Sequence, residues 1–357
     1  MPQAPTSRQK LVRIAESLLI GAVGGFLLNA AKFPAGWLAG SMLFAAAAAL
    51  AGRKIHVPAP LARVCSVVLG ITIGGVVTPD TLHGMMTWPL SIAMVAVSVA
   101  AATLATFAYL RRVHGWNKVT SMFASVPGGL AQVMVLAAEE GRSCDIRGVA
   151  IVQTLRVVIL AVFIPAALAL AGRAGAARLP AGSVAMTEAP FAFAILVGAA
   201  SAAALGLLRL GFRGGTMFGP LAVSAALHGS ALIDVTMPSS LAITAMVGLG
   251  TLSGGRFTGM PLRLLLGYLG AALGAFAVSL VVTAGIAIAL TLAAPLPVAD
   301  VIVAYAPGAV DTMMILALAL SLDPVFVGAH HLTRVFVVSL ALPILAHYFS
   351  PTGGKRA

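Results

Sequence analysis

Long apolar runs dominate this chain of 357 residues, and they decide what it can fold into. Runs of about 18 to 30 residues follow one another, separated by short loops that hold most of the charges and many of the prolines and glycines. A helix rising about 1.5 Å per residue needs roughly 20 such residues to cross about 30 Å of hydrocarbon. Hydrophobic residues make up 60% of the chain and charged residues 9%, where a soluble domain carries about a quarter charged. The pattern predicts an all-α polytopic membrane protein with the lipid bilayer as its first partner. Few stretches alternate apolar and polar residues, which argues against a β-barrel.

The net charge of +12 fits cytoplasmic loops facing anionic lipid, with no direct nucleic-acid partner. Cys65 and Cys144 form no metal or redox motif, and no cofactor is expected. The N-terminus, with Arg8, Lys10 and Arg13 ahead of an apolar run, has the look of a signal peptide. Residues 11–30 have a counterpart at 191–210, however, and are taken as a retained first span in a bacterial inner-membrane protein.

The chain repeats itself. Ser125-Val126-Pro127-Gly128-Gly129 is followed by Met134, Asp145, Arg156 and Pro165, and about 180 residues later Tyr305-Ala306-Pro307-Gly308-Ala309 is followed by Met314, Asp323, Arg334 and Pro343. Gly70, Gly74 and Gly75 are matched by Gly250, Gly254 and Gly255, a G-x-x-x-G pattern that lets helix backbones approach closely. Residues 1–180 and 181–357 are therefore predicted to be two membrane repeats of one integral domain, joined by a linker at 172–189.

Corresponding loops carry opposite charge bias. Arg53 and Lys54 match a loop with Asp234, Asp80 matches the loop with Arg256 and Arg263, and Arg111, Arg112 and Lys118 match the loop with Asp300. Swapped bias predicts that the second repeat is inverted in the membrane. Inversion requires an odd number of crossings per half, while each half holds six apolar segments. Each repeat is thus expected to have about five transmembrane helices and one segment, 118–140 or 298–321, that is broken at its proline or re-entrant. Re-entrant placement leaves Lys32, Arg173 and Arg178 outside and Arg156 and Arg334 within the membrane, the other 17 of the 22 Lys and Arg falling inside. Both termini are then cytoplasmic.

Arg156 and Arg334 fall about ten residues, roughly 15 Å, into their helices, near the midplane. Gln153 shares a face with Arg156, and His330 and His331 lie one turn before Arg334. Two roles are open to each arginine: pairing with carbonyls freed at the Pro-Gly break, or binding an anionic group. After each break a half-helix is expected to begin at Gly128 or Gly308, its N-terminus favouring an anion. Gln132 lies in the first half-helix, and Asp311 and Thr312 in the second. Together with Pro127, Gly129 and Pro307 these residues form the candidate substrate or ion site. Asp145 and Asp323, each directly before a long apolar helix, are expected to cap it. No H-x-x-x-H, Cys/His cluster or nucleophile elbow is present, so catalysis and metal binding are not expected.

The doubled P-G-G/A, M, D, R pattern, with V-A-I-V-Q-T-L-R at 149–156 and V-G-A-H-H-L-T-R at 327–334, resembles the AbrB family of duplicated bacterial membrane proteins, to which the label ammonia monooxygenase is also attached. The same name belongs to a small soluble DNA-binding regulator whose fold this chain cannot adopt. The resemblance implies an acidic residue after P-G-G-L-A; here Gln132 and Thr312 occupy that place, and Asp311 stands one residue earlier. The function expected is a secondary transporter or permease for a small solute, anionic if the arginines bind it, with room for a homo-oligomer. The alternatives are a membrane protein acting indirectly on gene expression and a metal-dependent membrane oxidase.

Overall fold

The computed structural model describes residues 7–77, 88–127, 130–140, 143–172, 187–212 and 214–349. The described residues are helical throughout, without a β-strand. The first half contributes α1 (Ser7–Ala30), α2 (Gly36–Leu50), α3 (Ala59–Gly74), α4 (Pro89–Arg112), α5 (Lys118–Ser125), α6 (Leu130–Glu139) and α7 (Ile146–Leu170). The second contributes α8 (Pro190–Arg209), α9 (Gly215–Gly229), α10 (Ser239–Gly254), α11 (Leu262–Ala293), α12 (Val298–Tyr305), α13 (Val310–Ala319) and α14 (Pro324–Phe349). Proline sets many of the starts. Pro60, Pro89 and Pro190 sit in a first turn, where their missing N–H costs nothing, and Pro58, Pro238, Pro261 and Pro297 immediately precede one. Most of the predicted linker, 173–186, lies outside the described residues.

Among the described residues six helices, α1, α4, α7, α8, α11 and α14, are long and apolar enough to cross a membrane. Five spans per repeat would require shorter helices to cross as well. The helices α2, α3, α9 and α10 have only 15 or 16 residues, about 22 to 24 Å. Their apolar runs are cut by proline and glycine: Pro34 and Gly52 bracket α2, Pro58 and Gly75 bracket α3, Gly214 precedes α9, and Pro238 and Gly255 bracket α10.

The helices fall into two compact units that do not follow the repeats. One is formed chiefly by α1 to α3 and α8 to α10. Within it α2 packs on α1 and α10, α9 packs on α8 and α3, and α3 and α10 pack on each other. Exchanging the halves leaves this pattern unchanged. The doubled glycines make the crossings. A Cβ on Gly70 would lie 2.5 Å from Met217 O, and one on Gly74 2.5 Å from Leu221 O, both on α9. Gly250 and Gly254 meet Leu38 and Met42 of α2 in the equivalent way. Close backbone approach is the demonstrated role of the G-x-x-x-G pattern.

The other unit holds α4, α5, α6, most of α7, α11, α12, the start of α13 and α14 from Phe326. Here α4 packs on α5 and α11, and α11 packs on α12, again a pattern preserved on exchanging halves. The Asn117 side chain caps α5 by accepting from Thr120 N at 2.8 Å. Asp145 caps α7 by accepting from Gly148 N at 3.2 Å, and also accepts from the Tyr268 hydroxyl of α11. Its own N–H donates to Thr120 Oγ1 of α5, so the cap ties three helices together. Asp323 caps α14 by accepting from Val325 N at 2.9 Å.

Cys144 is buried in the turn before α7, and desolvation pushes its thiol up to about 11. Cys65 is buried in α3. Since the thiolate is the reactive form, the folded protein is expected to resist maleimide at pH 7 and to take up two equivalents once unfolded in dodecyl sulfate, as read by intact mass.

Candidate functional site

Each broken helix stops in the same manner. α5 ends at Ser125, Val126 turns extended (φ −61°, ψ 121°), and Pro127 follows. α12 ends at Tyr305, Ala306 turns extended (φ −54°, ψ 136°), and Pro307 follows. Proline has no N–H to return and forces the preceding residue out of the helical region. The last-turn carbonyls of α5 and α12 are thereby left seeking donors.

The arginines supply them. Arg156 Nη2 donates to Ala124 O at 2.9 Å and Nη1 to Val126 O at 3.3 Å. One turn earlier on α7, Gln153 Nε2 donates to Phe123 O at 3.1 Å and Val126 O at 2.9 Å. In the second half Arg334 Nη2 donates to Ala304 O at 3.2 Å and Tyr305 O at 3.0 Å, and Nη1 to Ala306 O at 2.6 Å. His331 takes the place of Gln153, bonding Val303 O at 3.2 Å through Nε2. Its Nδ1 lies 3.4 Å from Arg334 Nη1, a group that can only donate, so Nε2 carries the ring proton. Both guanidiniums therefore cap helix C-termini, where a cation is also favoured by the helix dipole.

Capping does not exhaust them. Arg156 is 1% exposed and Arg334 3%, and the Nε of each is buried with no hydrogen-bond partner among the described residues. Their described partners are all neutral: backbone carbonyls and, for Arg334, the His331 ring. A buried donor left unpaired is unfavourable by about 1–3 kcal/mol, more for a charged group, so an anion reaching these atoms would be stabilised.

Other predicted residues are placed unequally. Pro127, Pro307 and Gly308 are buried at the breaks, and Thr312 is buried in the first turn of α13. Asp311, in the same turn, is exposed. Gln132 falls within α6, while Gly128 and Gly129 lie outside the described residues. The half-helices begin at Leu130 and Val310, two residues later than expected. At the second break Gly308 N donates to Ala306 O at 2.8 Å, a tight turn that keeps Gly308 out of the helix.

His330 forms no hydrogen bond to the guanidiniums. Its Nδ1 bonds Phe326 O at 2.7 Å and its Nε2 lies 2.9 Å from Ser91 Oγ of α4. The Tyr305 hydroxyl donates to Ser91 O, so α12 and α14 are both tied to α4 at Ser91. Neither Ser91 nor Tyr305 was expected in this role. Tyr305 was visible as the residue ahead of the second break, but Ser91 gives no local signal. Among the described residues no three His, Cys, Asp or Glu are gathered where they could hold a metal ion.

Fold and site together define a helical membrane protein in which two broken helices are each held by a buried arginine. Residues 37–350 match the family described as Transition state regulatory protein AbrB, and the chain belongs to that family. It is 26% identical over 336 residues to the protein named "Putative regulator AbrB" in Escherichia coli (strain K12), covering 93% of this chain and 94% of that relative. It is also 26% identical over 354 residues to "Uncharacterized protein YhjN" of Bacillus subtilis (strain 168), covering 91% and 90% respectively. No solved structure matches the chain.

Proposed function

We propose that this protein is a secondary transporter of the bacterial inner membrane, built from two inverted repeats, that moves a small anionic solute by alternating access. The observation that carries the proposal is the pair of buried guanidiniums whose Nε donors have no partner among the described residues. Buried ionisable groups in membrane helices are costly and mark substrate or ion pathways. Two helices broken near the midplane, in corresponding places of two halves, are the transporter signature. Inversion is supported by the swapped loop charges and is compatible with packing that survives exchange of the halves. The unit carrying both breaks and the glycine-packed unit supply two bodies for alternating access. The anion is held by Arg156 and Arg334, with Gln153, Thr312 and the first turns of α6 and α13 around it. We take the protein to be a transporter and not an enzyme. The word regulator in the Escherichia coli relative's name is accommodated if moving a solute alters gene expression indirectly.

The test is uptake of a panel of small organic and inorganic anions into proteoliposomes. Arg156→Lys and Arg334→Lys keep a charge and can still donate to carbonyls, but have no Nε–H. Uptake is expected to fall about tenfold or more in each, the worth of one charged hydrogen bond, with melting midpoints lowered less than in the alanine variants. Uptake unchanged in both variants would remove the arginines from the site.

A further inference from the structure

The glycine-packed unit holds a groove that the transport reading does not use. It has a volume of about 400 Å³ and follows α8 from Phe193 to Leu208, about 22 Å of helix. Val67 and Ile71 of α3 also line it, and Ser201 lies midway along α8. Ile71, Leu196 and Met237 are buried in one cluster with Phe193 packed against them, which closes one end with apolar side chains. Arg63, eight residues before Ile71 on α3, lines the groove as its one charged residue. Arg209 follows Leu208 in the last turn of α8.

We infer that this groove is a binding site for one acyl chain of an anionic phospholipid, with the phosphate held by Arg63. Its width selects the occupant. A helix is about 10–12 Å across with its side chains, too thick for 400 Å³ spread over that length, whereas a single hydrocarbon chain fits. Charge selects the headgroup. An acyl chain gains about 0.8 kcal/mol per buried CH₂ whatever its headgroup, so the preference among lipids rests on Arg63 at the groove and Arg209 beside it. The loop charges put both on the cytoplasmic side, where the leaflet is anionic. The site stands independently of the transport reading.

Native mass spectrometry of the full-length, delipidated protein, titrated with dioleoylphosphatidylglycerol or dioleoylphosphatidylcholine, tests it. One phosphatidylglycerol is expected to be retained about fivefold more strongly than phosphatidylcholine, the worth of one basic residue near an anionic lipid. Arg63→Gln should weaken the preference, and Arg63→Gln combined with Arg209→Gln should erase it, while leaving weak binding of both lipids. Ser201→Trp, which fills the groove, should abolish both adducts at an unchanged melting midpoint, and Val197→Phe repeats the block if Ser201→Trp does not fold. Equal retention of the two lipids by the parent protein overturns the proposal, as do adducts that persist in the blocked variant. A dimer that the blocked variant converts to monomer, with its lipid adducts intact, would make a second copy the occupant and equally overturn it.

Discussion

Arg334→Ala is expected to be the most destabilising single substitution at the breaks, and clearly worse than Arg156→Ala. The difference follows from which carbonyls keep a donor. Without Arg334, Ala304 O and Tyr305 O lose theirs, while Ala306 O retains Gly308 N. Without Arg156, Val126 O retains Gln153, and among the described residues only Ala124 O is stranded. At about 1–3 kcal/mol per buried carbonyl left without a partner, Arg334→Ala should cost roughly 2–6 kcal/mol and Arg156→Ala roughly 1–3 kcal/mol. Adding Gln153→Ala to Arg156→Ala should cost more than the sum of the two single changes, because Val126 O then loses its last described side-chain donor. Unfolding of the purified variants in detergent, followed by circular dichroism, measures all four. Equal destabilisation by the two arginine substitutions would mean that capping is not what the guanidiniums do for the fold.

That asymmetry bears on function as well as folding. An arginine that only capped a helix end would be replaceable by lysine in transport wherever the variant still folds, since lysine keeps the charge and donates to carbonyls, though without the guanidinium's fork. Lost uptake in a folded lysine variant separates the unpartnered Nε from the capping nitrogens. Both roles considered for each arginine thus have a place: capping is visible in the hydrogen bonds, and anion binding is proposed for the donor the cap leaves over.

The two breaks and the buried arginines beside them were more legible in the sequence than the arrangement of the helices. Pro127 and Pro307 mark the breaks because proline's missing N–H acts locally, and the arginines declare themselves because a charge deep in an apolar run needs a partner. The equivalence of Gln153 and His331 was hidden, since an amide and an imidazole share no resemblance as letters yet donate to corresponding carbonyls, Phe123 O and Val303 O. Ser91 was hidden for a different reason. It is a serine among small residues of α4, and its partners, Tyr305 and His330, come from more than 200 residues away. The ends of α2, α3, α9 and α10 were not legible because hydropathy runs on through residues whose backbone has already left the helix. The division into two units was not legible at all. The repeats are contiguous in sequence, whereas each unit draws helices from both halves, and that pairing exists only in long-range contacts.

Gly74→Leu and Gly254→Leu are expected to abolish accumulation of folded protein, whereas Gly198→Ala and Gly206→Ala should be tolerated or mildly stabilising. The distinction turns on what a side chain would meet. At Gly74 a Cβ falls 2.5 Å from Leu221 O and 2.6 Å from Ser224 Cβ, and at Gly254 it collides with Met42 O and falls 2.7 Å from Ala46 N. Those neighbours are mainly helix backbone, which cannot rotate away as a long side chain can. Relief requires separating α3 from α9, or α10 from α2, and the crossings that define the unit go with them. Overpacking inside one well-filled core costs about 1–3 kcal/mol; forcing two backbones apart forfeits the whole contact and should exceed that. At Gly198 and Gly206 on α8 nothing lies within 4 Å of the added carbon, and alanine improves helix propensity by up to about 1 kcal/mol. Gly74→Ala provides the intermediate case, reduced in yield but recoverable, because one methyl asks for a smaller shift than an isobutyl group. Fluorescence-detected size-exclusion of tagged variants ranks all five. Wild-type yield from Gly74→Leu would show that α3 and α9 do not cross at that glycine.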